Sequence, residues 1–177
     1  MERRRPWWSD ALQTVLLAGL LALVIRLFVV EPFRVDGPSM EPTLFTGERL
    51  LVDKVSYRLH LPRRGDIVVF RNPRNAREDY IKRVVALPGD KVEMRLGKLY
   101  INDQPVPEPY VFRDGISTYG PEVIPPGYCF VLGDNRANSR DSRFFGPIPL
   151  QLIKGRAWVI FWPPTRMHVL ATSPAIP

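Results

Sequence analysis

Apolar residues run almost without a break from Ala11 to Val30, and the chain then changes to short stretches in which apolar and polar positions alternate. The first stretch, about 20 residues at 1.5 Å of rise each, predicts a helix long enough for roughly 30 Å of hydrocarbon. It has no polar face of the kind a helix on a soluble core shows to water. The alternation that follows predicts strands at Leu50–Val55, Ile67–Arg71, Tyr80–Leu87, Lys91–Arg95, Lys98–Asn102, Tyr128–Leu132 and Arg156–Trp162. Leu96-Gly97 reads as the tip of a tight hairpin, with Val92 and Met94 facing one way and Glu93 and Arg95 the other. Pro62 to Asp66 is a turn that delivers the chain into Ile67-Val68-Val69-Phe70. From 103 to 126 the chain is rich in proline and poor in periodicity, which predicts a surface excursion or small flap, and after Trp162 it becomes proline-rich and predicts a loose tail.

Charge refines the apolar segment. Arg3, Arg4 and Arg5 precede it, Trp7 and Trp8 suit an aromatic belt, and Arg26 lies near enough to its end to snorkel. The positive-inside rule therefore predicts a cytoplasmic N-terminus over 1–10, a single transmembrane anchor over 11–30, and the rest of the chain outside. A cleaved secretory leader is the rival, but Ile25 to Phe33 is bulky or charged throughout and offers no small-x-small site. The 177 residues suffice for one domain with a core beside that anchor, and 19 prolines argue against a helical bundle. The net charge of +7 fits anionic lipid as well as nucleic acid. No zinc-finger spacing, RNA-binding aromatic signature or helix-turn-helix is present, so nucleic acid is not an expected partner.

Three segments carry candidate chemistry. Gly37-Pro38-Ser39-Met40-Glu41-Pro42-Thr43 places a serine just beyond the anchor. A serine needs a base to take its proton before it can act as a nucleophile. The two histidines, His60 in a loop and His168 in the tail, suggest none. Lys82, on a strand whose one face would carry Tyr80, Lys82, Val84 and Ala86, could serve if burial lowered its pKa from about 10.4. Both residues have plainer readings: Ser39 as a turn or cap residue, Lys82 as a wet strand lysine. Gly37 would let the backbone turn sharply and aim an N–H near Ser39 at an oxyanion. The third segment, Gly133 to Arg143, is dense in polar groups able to form a buried network. Cys129, alternating with apolar neighbours, reads as a buried inert thiol, and neither a metal nor another cofactor is implied.

These segments in this order resemble the bacterial type I signal peptidases, the leader peptidases of serine–lysine type. The likeness runs from about Pro32 to Trp162 through GPSMEPTL, RGDIVVF, YIKRVVALPGD and GDNRANSRDSRFFGPI. It implies a mainly β fold: one N-terminal transmembrane helix, then a β-rich extracytoplasmic catalytic domain over 31–166 and a loose tail over 167–177. It implies Ser39 as nucleophile, Lys82 as general base and Ser139 as a hydroxyl that hydrogen-bonds and orients the lysine amine. Asp134 would pair with Arg83, and Asp141 and Arg143 would form a supporting ion pair. Val35, Met40, Leu44, Tyr80 and Ile81 would line shallow pockets for small side chains. Where some members carry a serine that donates to the oxyanion, this chain has Gly37, which leaves that task to backbone N–H groups.

The implied activity is hydrolysis of signal peptides after small-x-small sites through an acyl-enzyme, in the cell membrane. The implied partners are exported preproteins, membrane lipid and the protein-export channel. Aromatic residues near Phe33 and at Phe144-Phe145 are expected to dip into lipid. Two alternatives remain: a self-cleaving repressor with a related core, which would carry a DNA-binding domain in place of the anchor, and a catalytically silent protein that only binds signal peptides.

Overall fold

The computed structural model describes residues 7–111 and 115–171. Arg3, Arg4 and Arg5, expected to orient the anchor, and the last part of the predicted tail lie outside the described residues. The apolar run forms α1 (Trp7–Phe28), with Asp10 in its first turn and Arg26 in its last, each at the end that the helix dipole favours. Leu12, Leu16, Leu20 and Leu23 are each at least half exposed. Among the described residues no helix is long and apolar enough to cross a membrane, and the side chains of Trp7, Ser9 and Leu27 in α1 lie outside the described set.

The helix stops earlier than the apolar pattern suggests. Val30 opens strand β1 (Val30–Arg34), which pairs antiparallel with β2 (Arg49–Asp53), Val30 lying opposite Asp53. A run of apolar residues does not itself distinguish helix from buried strand, and here pairing with β2 decides.

The larger sheet continues with β3 (Ile67–Arg71), β4 (Asp79–Ala86), β9 (Tyr128–Leu132), β10 (Ile148–Pro149), β11 (Ile153–Trp162) and β12 (His168–Val169), in the order β1-β2-β11-β3-β4-β9-β10 with β12 on β11. The smaller sheet is β7-β6-β5-β8, from β5 (Lys91–Arg95), β6 (Lys98–Ile101), β7 (Gln104–Pro105) and β8 (Tyr119–Val123). Every pairing is antiparallel. The fold is thus mainly β.

Strand β3 is buried at Ile67 through Phe70 because the sheet is covered on both faces there. Val35, Leu50, Val52, Ile67, Val69, Ile81 and Ile160 pack in one cluster, and Val68, Phe70, Val84, Val131 and Ile148 in another. The alternation expected along β4 breaks at its end. A register shift between Val84 and Ala86 against β9 sends Ala86 with Val85 into a third cluster, which the small sheet completes through Val92, Met94, Leu99 and Ile101. A bulge inserts one residue and so reverses the faces beyond it.

The hairpin at Leu96-Gly97 forms as expected, with Arg95 opposite Lys98 and positive φ at both loop residues. Of the excursion from 103 to 126, the described residues, 103–111 and 115–126, are more ordered than proline content suggests. It contributes β7 and β8, and Val106, Tyr110 and Tyr119 pack on the third cluster. The tail expected to be loose begins paired: Val169 lies opposite Val159, Leu170 N donates to Trp158 O at 2.7 Å, and Leu170 is buried. One apolar side chain with a place in the core outweighs the proline-rich composition around it.

Candidate active site

Ser39 sits on the turn that leaves β1. Gly37 has φ +83°, a conformation that side chains resist. Val35 N donates to Glu48 O and Gly47 N to Val35 O, both at 2.9 Å, closing the loop at its base. On either side of the serine, Val35, Met40 and Leu44 are buried in the core with Ile81. The serine is therefore held by apolar neighbours that point inward while its own side chain stays partly exposed.

Lys82 lies in the middle of β4, opposite Val68 of β3. Its Nζ donates to Ser39 Oγ at 2.7 Å and to Ile81 O at 2.8 Å, and lies 5.4 Å from the centroid of the Tyr80 ring. The residue is 4 % exposed. Burial drives its pKa from 10.5 to about 8, against the pull of the Asp141 and Asp134 carboxylates, which favour the ammonium. An amine in that range is a base accessible near neutral pH.

The polar segment builds the wall behind the pair. Asp134 receives Nε of Arg83 at 2.8 Å and Nη2 at 2.6 Å, and Thr43 Oγ1 donates to the same carboxylate at 2.6 Å. Arg83 Nη1 also donates to Gly65 O at 2.9 Å. Asp141 receives Arg143 Nε at 2.8 Å and the N–H of Gly133 at 3.0 Å. Asn135 N donates to Ser39 O at 3.1 Å and its Nδ2 to Pro38 O at 3.2 Å, so this loop grips the serine turn directly. Gly133 is the point of closest approach: a Cβ there would lie 2.2 Å from Ser139 Oγ and 2.5 Å from Ser39 O.

Two expectations are corrected. Ser139 is buried beside Gly133, but among the described residues its Oγ has no hydrogen-bond partner, and the Lys82 amine bonds to Ser39 and Ile81 instead. Of the five residues expected to line small pockets, only Tyr80 and Ile81 border the cavity at Ser39, which is about 230 Å³. Val35, Met40 and Leu44 are sealed in the core beneath it, because the turn carrying Ser39 must be anchored somewhere and those side chains do it. Phe33, Asp36, Asp79, Asn138 and Arg140 also line it. Sequence reasoning missed these, and also Thr43 and Asn135. For Thr43, Asn135, Asn138 and Arg140 the available signal was their place inside the serine and late polar segments; Phe33, Asp36 and Asp79 lie outside both and had none.

Cys129 is buried, with its thiol pushed up to about 12 by burial, and acts as a small apolar side chain. His60 and His168 are exposed, and neither borders the cavity at Ser39.

A serine hydroxyl beside a buried lysine, in a cleft on a β-rich scaffold, is an arrangement suited to acyl transfer. The comparisons with known proteins state the class. Residues 8–162 match the family described as "Signal peptidase, peptidase S26". The chain is 42% identical over 169 residues to "Probable signal peptidase I-2" of Synechocystis, covering 92% of this chain and 77% of the relative. It is 44% identical over 174 residues to "Signal peptidase I" of Leptolyngbya laminosa, covering 94% of this chain and 85% of that one. With "Signal peptidase I" of Bacillus caldolyticus it shares 40% identity over 175 residues, 91% of each chain. The chain belongs to the signal peptidase family, peptidase S26. Its activity is that of a signal peptidase I, a serine peptidase and hydrolase.

Proposed function

We propose that this chain is a membrane-bound endopeptidase in which Ser39 and Lys82 act as a dyad, removing N-terminal signal peptides from exported preproteins after small-x-small sites. The observation that carries the reading is the 2.7 Å separation of Lys82 Nζ and Ser39 Oγ at the edge of a cavity, with the amine buried. Neutral Lys82 accepts the Ser39 proton as Oγ bonds to the scissile carbonyl carbon. The C–N bond then breaks and the proton passes from Lys82 to the leaving amine. Water attacks the acyl-enzyme next; Lys82 takes its proton, the ester C–O bond breaks, and Oγ recovers the proton.

Backbone N–H of Ser39 is the proposed oxyanion donor, since Gly37 has no side chain to offer. Asp134, Arg83, Asp141 and Arg143 hold the geometry, and Ser139 contributes by packing against Gly133. An open cleft of modest size bordered by Phe33, Tyr80 and Ile81 suits short side chains such as alanine.

Membrane attachment is part of the same proposal. The 22 residues of α1, at 1.5 Å each, extend about 33 Å, close to the thickness of a hydrocarbon core, and the exposed leucines on it need cover. The proposed topology is single-pass in the cell membrane, N-terminus in the cytoplasm and the β domain outside, with lipid and the export channel as neighbours. The test is incubation of detergent-solubilised protein with a preprotein carrying an Ala-x-Ala site, followed by N-terminal sequencing of the product. Cleavage at that bond by the wild type and none by Ser39→Ala is the expected result. Binding without cleavage by folded wild type would support the silent binding protein instead.

A further inference from the structure

Three arginines are buried around the Ser39–Lys82 pair: the side chains of Arg83, Arg136 and Arg143 are 3%, 0% and 6% exposed. Each takes a partner from the excursion that builds the outer part of the small sheet. Glu108 receives Arg136 Nη1 at 2.9 Å and Nη2 at 2.5 Å. The Tyr110 ring covers the Arg83 guanidinium at 4.0 Å, while its hydroxyl donates to Glu108 Oε1 at 2.9 Å. Ser117 Oγ accepts from Arg143 Nη1 at 3.1 Å. Gly115 lies against the Arg136 backbone, where an added Cβ would come within 3.3 Å of Arg136 O.

The carboxylates of the site loop do not balance these charges unaided. Asp134 is committed to Arg83 and Asp141 to Arg143, and Arg136 has from that loop only the carbonyl of Gly133, at 3.0 Å from its Nε. A guanidinium buried without a counter-ion is strongly unfavourable. Glu108 supplies the missing anion from a segment distant in sequence. Arg136 in turn determines where Gly133 sits, and the loop it begins reaches Ser39 through Asn135 and the Lys82 strand through Asp134.

We propose that Glu108 and Tyr110 are positioning residues, and that the excursion is a strap which completes the charge balance of the site and sets the separation of Ser39 and Lys82. The proposal rests on the roles given to those two residues above. The charged groups around Lys82 are Asp134 and Asp141, with Arg83 and Arg143 bound to them and Arg136 and Glu108 behind, together with Asp36, Asp79 (which accepts from Lys154) and Arg140 on the walls of the same cavity; apart from Glu108, all are unchanged in the variants below. Loss of the Glu108 charge leaves the cluster with a surplus cation, which makes Lys82 harder to protonate and moves its midpoint to lower pH.

The test uses full-length protein in detergent, with Glu108→Gln, Tyr110→Phe and, as a control in the same strap, Val106→Ala, whose side chain packs on the small-sheet cluster and carries no polar group to the arginines. The Lys82 midpoint is read both from the rate profile and from the 13Cε resonance of the lysine. Glu108→Gln is expected to lower kcat at least about tenfold with KM within about twofold, and to move the midpoint down by roughly half a pH unit. Tyr110→Phe, which keeps the ring and the charge, is expected to lose a few-fold in kcat at an unchanged midpoint. Val106→Ala should lose thermal stability alone. Wild-type kcat and midpoint in both Glu108→Gln and Tyr110→Phe would overturn the proposal, and so would wild-type kcat in Tyr110→Phe if Glu108→Gln does not fold. Absence of cleavage by the wild type would sink the reading of the dyad, while the resonance titration would still decide for or against the strap.

Discussion

Replacing Lys82 by methionine should stabilise the protein at neutral pH, and the gain should vanish in alkali. In the unfolded chain the amine titrates at 10.5; in the folded chain burial brings it to about 8. Below pH 8 both states hold the proton, and the folded state carries an ammonium in a place 4 % exposed. At about 1.4 kcal/mol per tenfold change in proton affinity, the fall corresponds to roughly 3 kcal/mol of native-state destabilisation. Between pH 8 and 10.5 the unfolded chain binds the proton and the folded chain does not, so wild-type stability rises with pH by up to about 1.4 kcal/mol per unit. Methionine fills much the same volume without a charge, and forfeits two hydrogen bonds, to Ser39 Oγ and Ile81 O, at about 1 kcal/mol each. The expected net gain at pH 7 is therefore about 1 kcal/mol, turning into a loss of about 2 kcal/mol above pH 10.5. Urea unfolding of both full-length proteins in one detergent, followed by tryptophan fluorescence from pH 6 to 10, measures the difference. A difference that does not change across that range would refute the claim that burial depresses this lysine.

Other outcomes follow from the same geometry. Gly133→Ala should cut kcat by about a hundredfold at little cost in substrate binding, because the new methyl must push Ser139 or the Ser39 carbonyl aside; steady-state kinetics would show it. Asp134→Asn should destabilise the fold by about 3–5 kcal/mol, since Arg83 would remain buried without its counter-ion; a melt showing no loss would contradict that. Leu170→Asp should lower the melting temperature by several degrees if the start of the tail is docked as described, and a neutral result would mean that it is not.

Where pattern and pairing agree, the sequence was sufficient. Strands over Ile67–Arg71, Lys91–Arg95 and Tyr128–Leu132 have the bounds that alternation and turn residues predict. Strand β1 was illegible because Val29-Val30 extends the apolar run of α1, and β8 because its glycine and proline mask a strand that β5 completes. At the site, residue types and order pointed to Ser39 and Lys82, while the 2.7 Å between them needs the register of β3 against β4 and the path of the serine turn. Burial was the harder matter. Val35, Met40 and Leu44 look like pocket residues by position, yet the turn needs them as anchors, and Glu108 looks like a surface acid in a proline-rich loop. Neither fact has a local signature, because both arise from segments far apart in the chain.

The central claim is that Lys82 is the base for Ser39. Its most direct test is the dependence of kcat/KM on pH for a preprotein with an Ala-x-Ala site, measured for wild type and Lys82→Met. With the amine titrating at about 8, about one molecule in eleven is active at pH 7 and about ten in eleven at pH 9, a rise near tenfold. The account predicts that rise in the wild type and no cleavage above background by Lys82→Met at any pH. Cleavage that survives in Lys82→Met, or a wild-type rate that is flat from pH 7 to 9, would contradict it.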